Sequence, residues 1–456
     1  SGTGARILSH CSEGWYAPRE KSVPDCRCDP ATSRLRAKGI QGVQSRQSAK
    51  VMPNINNYDA AARTPKINMW LPYFLFIPMV QSFIPPQRVL MGPGPTMVHP
   101  RVLEASARPI IGHLDPAFAG LMDEVKDLLK YAFRTENALT MPVSAPGSAG
   151  METCFVNLVE PGDKVIVCVN GVFGGRMREN VERAGGTAVT VEQQWGQPVD
   201  PDRVEEALDK NPDARIVAFV HAETSTGAMS DARKISEIAH AHGALVIVDA
   251  VTSLGGIPLL VDEWQLDAVY SGTQKCLSGL PGLSPITFGP AALARIKSRK
   301  SPAQSWFLDL DLVMGYWDSA GGRSYHHTAP VNAIYALHEA LVLLYEEGLE
   351  KAWQRHRDAH VRLVDGLEAL GLEMLVAEPY RLPQLNSVKI PAGVDDAAVR
   401  RELLEQHGLE IGSGLGDLSG KIWRIGLMGE TARPEHVDFC LQSLKSVLDS
   451  ELVAAA

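Results

Sequence analysis

From Gln87 onward the chain alternates amphipathic stretches with short apolar runs, and this alternation predicts a parallel sheet covered on both faces by helices. Lys164 to Val169, Ile216 to Val220 and Leu245 to Val248 are rich in β-branched residues and bounded by turn residues, so each reads as a buried strand. Leu121, Val125, Leu128 and Ala132 recur at helical spacing after Asp115-Pro116. Asp231 to His242 reads as a helix closed by Gly243, a residue free to take the left-handed conformation at a helix end. A further helical run, Glu152 to Leu158, follows the small residues from Ser144 to Gly150.

Beyond Val331 long helices dominate: Ala336 to Glu347 ended by Gly348, and Leu349 to Leu370 ended by Gly371. Short strands around Gln384 to Ile390 and Lys421 to Leu427 then predict a smaller C-terminal α+β domain. The expected fold class is therefore α/β, with a large domain over residues 87–335 and a small one over residues 336–456.

Residues 1–86 show no such periodicity, and their first fifty positions carry more Arg and Lys than Asp and Glu. The apolar stretch Met69 to Ile84 contains Pro72 and Pro78 and falls short of the roughly 20 residues that span a bilayer. No membrane anchor is expected. The leader reads equally as a targeting segment, as a translated upstream stretch with the working protein starting near Met52 or Met69, or as an extended arm lying on the body.

The chain has 456 residues, 45% hydrophobic and 21% charged, a globular balance that argues against disorder along most of its length. A formal net charge of -9, without a Lys/Arg stripe among aromatics, argues against nucleic acid as a partner. Seven cysteines without repeated spacing point to a reduced compartment and buried thiols. The cytoplasm is the expected location, or an organelle if the leader is a targeting segment. The final Leu452 to Ala456 is not a peroxisomal address.

Candidate chemistry gathers at strand ends. Leu245 to Val248 place Asp249 at the carboxyl end of a buried parallel strand, where open α/β sheets build ligand sites. By itself such an aspartate reads equally as a cap or a turn residue. Lys275 follows another short strand, Asp267 to Ser271, in an apolar, glycine-rich loop that would lower its pKa and free an amine for a Schiff base. Alone it reads as a surface lysine.

The pair changes that balance, because one strand unit separates the two and both converge on the same sheet edge. Pyridoxal phosphate needs a lysine for its aldehyde, a carboxylate for its ring nitrogen, and anion-binding groups for its phosphate. The last are available in Ser144-Ala145-Pro146-Gly147-Ser148-Ala149-Gly150, small residues at a helix start whose free amides would face an anion. A plain Gly/Ser turn has the same composition.

Six segments stand in one order: Gly92-Pro93-Gly94-Pro95, His221-Ala222-Glu223-Thr224-Ser225-Thr226-Gly227, Val248-Asp249-Ala250-Val251-Thr252-Ser253-Leu254-Gly255-Gly256, Ser271-Gly272-Thr273-Gln274-Lys275, Tyr325-His326-His327-Thr328 and Arg424-Ile425-Gly426-Leu427. On these residues the chain resembles the class V aminotransferases of pyridoxal-phosphate fold type I, in their alanine-glyoxylate (serine-pyruvate) branch, from residue 88 to about 449.

The resemblance implies that Lys275 forms the Schiff base with pyridoxal 5'-phosphate, that Asp249 holds the ring nitrogen, and that Val251 packs one ring face. It implies that Gly147, Ser148, Thr224 and Gln274 surround the phosphate and that Phe173 stacks on the ring. Tyr325 and Thr328 would reach the phosphate of a neighbouring subunit, which makes the expected assembly a homodimer with composite sites. Arg424 would take the substrate carboxylate, a task for which a planar guanidinium is suited.

The implied reaction is transamination of small amino acids, from L-alanine or L-serine to glyoxylate, giving pyruvate or hydroxypyruvate and glycine. Two departures bear on cofactor affinity: Ala145-Pro146-Gly147-Ser148 stands where well-known members have Gly-Ser-Gly-His, and Phe173 where they have tryptophan. The competing readings are a carbon-sulfur lyase or desulfurase of the same fold, with Cys276 its tempting thiol, and a non-catalytic relative. His356 and His360, four apart on a helix without the His-Glu-x-x-His pattern, are expected on a solvated face.

Overall fold

The computed structural model describes residues 81–317 and 323–454. Most of the leader, including Met69 to Val80 of the apolar stretch, lies outside the described residues. Among the described residues no helix is long and apolar enough to cross a membrane.

A seven-stranded sheet forms the frame, in the spatial order Leu139–Val143, Ser284–Phe288, Ala268–Tyr270, Leu245–Asp249, Ala214–Val220, Lys164–Val169 and Thr187–Glu192. Ser284–Phe288 runs antiparallel to both of its neighbours; the other pairings are parallel. Parallel neighbours require crossovers, and helices such as Val172–Arg183 and Ala232–Ala241 supply them. The Ala232–Ala241 helix is capped by Asp231, whose side chain accepts from Lys234 N, and ends beside Gly243 at φ +72°.

The helix after Asp115 spans Pro116–Phe133, but its buried stripe is Phe118, Met122, Val125, Leu129 and Ala132, with Leu121 and Leu128 only half-buried. The expected stripe was displaced by one position at two places. Phe118 and Phe133 are fully buried, so these large rings set the helix rotation. Each such large apolar side chain contributes about 1.5–3 kcal/mol by leaving water.

The helix expected over Glu152 to Leu158 begins earlier, at Gly147, with Pro146 at its cap position. Its small residues answer to packing: a Cβ at Gly150 would lie 1.9 Å from Ser284 Oγ and 3.3 Å from Tyr270 Cβ. The helix therefore rests directly on two strands of the sheet.

A second apolar core surrounds Trp423, Leu363 and Leu444 beside a three-stranded antiparallel sheet, Leu385–Lys389, Ile422–Gly426 and Gly412–Ser413 in spatial order. Val89–Leu90 pairs in parallel with Leu409–Glu410, and Gly426 N donates to Met91 O at 2.7 Å. The segment Gly92 to Pro95 thus leaves this second core and crosses to the edge of the large sheet, where Thr96 N meets Gln274 O at 3.2 Å.

Candidate active site

Asp249 ends its strand directly opposite Tyr270 of the next one. Its Oδ1 accepts from Val251 N at 2.8 Å, and its Oδ2 accepts from the Tyr270 hydroxyl at 2.7 Å. Burial holds the carboxyl up to about 6, opposed by those two donors and by the charge of Lys275. At neutral pH the carboxylate form still prevails. Tyr270 is fully buried, and the same burial, with Asp249 beside it, raises its phenol well above the ordinary value.

Lys275 is buried, and its Nζ donates to Pro93 O. Loss of water is the main cause that brings its pKa down to about 8, with the Arg424 charge pushing the same way and Asp249 resisting. Gly94, at φ +106°, is required here, because a Cβ would come within 2.5 Å of Nζ. The crossing segment from the second core therefore closes over the lysine and helps dry it.

The helix Gly147–Leu158 starts without a side-chain cap, so its first amides keep their capacity for an anion. A Cβ at Gly147 would lie 3.4 Å from Val251 Cγ2 and 3.7 Å from Gly272 Cα, and one at Gly272 would lie 3.0 Å from Gln274 Oε1. Gly147, Val251, Gly272 and Gln274 thus meet at one place. Gln274 Oε1 is buried without a partner; turning the amide would present its NH₂ donors instead, the polarity an anion needs. Thr224 is also buried, its hydroxyl 2.5 Å from that of Thr252.

Phe173, half-buried, is the second residue of the helix Val172–Arg183, with the Arg176 guanidinium 5.0 Å from its ring centre. These groups fit pyridoxal phosphate on the chemistry of the donor set: a dried amine, a buried carboxylate, two apolar side chains and an uncapped helix start. Ser148 is exposed in the first helical turn.

Arg424 lies in the central strand of the small sheet. Its Nε donates to Ser413 O at 2.7 Å and its Nη1 to Thr224 O at 3.1 Å, both neutral carbonyls. Burial draws its pKa down to about 10, and Glu223 is the acid that opposes this. No salt bridge pairs Arg424 among the described residues. A buried guanidinium without a carboxylate is costly, so the site has a standing demand for an anionic ligand.

The rim is different. Tyr325 is 65% exposed, its ring tilted 5.5 Å from that of His113, and Thr328 is exposed as well. Between them, His326 Nδ1 lies 2.8 Å from His327 Nδ1, and His327 Nε2 lies 2.7 Å from Ser144 Oγ, which ties this loop to the segment leading into the anion site.

One expectation fails at the histidine pair. His356 is fully buried, donating from Nδ1 to Ala352 O at 2.6 Å and accepting from Gly429 N at Nε2 at 3.0 Å. Burial drives its pKa down to about 4, so it is a neutral core residue. His360 is half-buried against Asn386 Oδ1 at 2.6 Å. The helix carries its apolar face through Ala352, His356, Ala359 and Leu363, and the imidazole satisfies both nitrogens there.

Sequence reasoning also passed over Tyr270, although its place across from Asp249 followed from strand pairing, and over Glu223, which stood in a recognised motif without a role. Glu223 is fully buried and held up to about 7 by burial, opposed by bonds from Ser225.

Residues 95–422 match the family described as aminotransferase class-V. The chain belongs to that family. It is 39% identical over 381 residues to (S)-ureidoglycine–glyoxylate transaminase of Bacillus subtilis, covering 80% of this chain and 91% of that one. Alanine–glyoxylate aminotransferase of Oryctolagus cuniculus is 40% identical over 365 residues, covering 80% and 93%. A crystal structure of alanine–glyoxylate aminotransferase from Nostoc sp. shares 45% identity and a TM-score of 0.79, covering 81% of this chain and 97% of that one. The protein is thus a class V aminotransferase, and its mostly parallel α/β architecture is the one its relatives share.

Proposed function

We propose that the protein is a pyridoxal-phosphate-dependent aminotransferase that carries an amino group from L-alanine or L-serine to glyoxylate. The observation that carries this reading is the buried, unpaired Arg424 guanidinium in the same electrostatic cluster as Lys275 and Asp249. Bound at this place, the cofactor would supply an aldehyde to carry the amino group and an electron-withdrawing ring to stabilise charge at the substrate Cα.

The chain's own residues do the rest. Once its amine is free, Lys275 Nζ, dried to a pKa of about 8, would take the proton from the substrate Cα and, in the reverse half, return one to it. Asp249, its two oxygens held by Val251 and Tyr270, keeps a negative charge at the ring nitrogen. Arg424 binds the carboxylate and so fixes which Cα bond faces Lys275. Among the described residues Arg424 is the one buried arginine and has no salt bridge, which favours small monocarboxylic substrates. Glyoxylate is the acceptor that the names of both relatives share.

Tyr325 and Thr328 complete this reading as phosphate ligands given to a second copy, which makes the working unit a homodimer; their exposure on the single chain supports it. The desulfurase alternative loses support at Cys276, whose buried Sγ lies 3.4 Å from Thr252 O and whose thiol is pushed up to about 12. Incubation with L-alanine and glyoxylate is expected to yield pyruvate and glycine in equal amounts. Alanine formed from cysteine without any keto acid would favour the desulfurase instead.

A further inference from the structure

The proposed stacking ring and the proposed carboxylate site are fastened to the same three residues, Glu223, Thr224 and Ser225. Glu223 closes the short strand Ala222–Glu223, which pairs with Ala228–Met229. Its Oε1 accepts from Ser225 N at 3.0 Å and from the Ser225 hydroxyl at 2.5 Å, while Oε2 is buried without a partner. Ser225 Oγ in turn accepts from Val172 N at 3.0 Å.

Val172 opens the helix that carries Phe173, and Gly171 before it supplies no side-chain cap. The amino end of a helix has unpaired N–H groups and partial positive charge, which a carboxyl and a hydroxyl from elsewhere can satisfy. The fit is close: a Cβ at Gly171 would lie 2.4 Å from Glu223 Cδ and 2.5 Å from Ser225 Oγ. Between Glu223 and Ser225, the Thr224 carbonyl accepts from Arg424 Nη1 at 3.1 Å.

We propose that Glu223 and Ser225 form a clasp that sets the Phe173 ring against the cofactor and, through Thr224, in register with Arg424. Both are positioning residues. The inference rests on the reading of Phe173 as the stacking ring, and its test separates the two.

The full chain is prepared as wild type, S225A, F173L, the F173L/S225A double variant and E223Q. The dissociation constant of pyridoxal phosphate, the circular dichroism of its visible band, and KM and kcat for L-alanine are measured for each. Losing a helix cap of this kind shifts a local folding equilibrium by about five- to tenfold, which bounds its effect on a ligand that needs the helix start in place. S225A is expected to weaken cofactor binding by about that factor, to diminish the dichroic band and to raise KM more than it lowers kcat, with E223Q between S225A and wild type. In the F173L background, S225A is expected to weaken cofactor binding no further.

Equal weakening by S225A in both backgrounds overturns the clasp, as does unchanged affinity and dichroism in S225A and E223Q. If S225A does not fold, E223Q alone carries the test. F173L without effect on affinity overturns the stacking reading instead.

Discussion

The floor and the rim of this site are built differently. Asp249 and Lys275 are buried, and among the described residues their side chains are held by named partners: Asp249 accepts from Val251 N and the Tyr270 hydroxyl, and Lys275 donates to Pro93 O. Tyr325 and Thr328 are exposed on a loop that touches the anion site only indirectly, through His327 and Ser144. At the floor, burial sets the chemistry, because a carboxyl and an amine deprived of water are drawn toward neutral pH from opposite sides. At the rim the Tyr325 and Thr328 side chains are exposed, and in the proposed reading a second copy takes them up.

Removing the floor's reactive group has the largest expected effect. K275A should lower kcat with alanine and glyoxylate by at least about 10³-fold, the scale of a lost acid-base group, measured by pyruvate release. The second effect is on pH. Addition of Lys275 to an aldehyde needs the neutral amine, so cofactor uptake by the cofactor-free protein should rise about tenfold per pH unit and level off above about 8. Uptake rates flat from pH 6 to 9 would show that the lysine is not desolvated as described.

The rim gives a smaller and more informative change. Y325A should weaken cofactor binding by about tenfold, the cost of one hydrogen bond to a charged group. At a cofactor concentration too low to fill Y325A, mixing Y325A with K275A subunits should raise activity, since a hybrid dimer would hold one site with an intact lysine and an intact tyrosine. Mixtures no more active than the two parents would place Tyr325 outside the neighbour's site. Y270F is expected to have the smallest effect, a few-fold fall in kcat with unchanged KM for alanine, because Asp249 keeps its bond from Val251.

Much of the floor was legible because strand ends are. The apolar run Leu245 to Val248 led to Asp249, and the glycines after three helices, Gly243, Gly348 and Gly371, all take positive φ where chain reversal requires it. What escaped the sequence depended on partners far along the chain. The small residues after Ser144 read as the approach to a helix over Glu152 to Leu158, whereas the helix already begins at Gly147, and Gly150 within it is pressed by Ser284 and Tyr270 of the sheet. The His356 and His360 pair, lacking the His-Glu-x-x-His pattern, reads as a solvated face, yet Ala352 O and Gly429 N satisfy His356 in the core. Glu223 gives no local sign of its burial against Gly171, which follows the neighbouring strand of the sheet and lies far upstream in sequence.

The most direct test of the central claim is the visible absorption spectrum of the purified protein supplied with pyridoxal phosphate, recorded before and after L-alanine and then glyoxylate. The account predicts a visible band that alanine bleaches and glyoxylate restores, one half of the transfer at each addition. A protein that gains no band, or a band that alanine leaves unchanged, would contradict it.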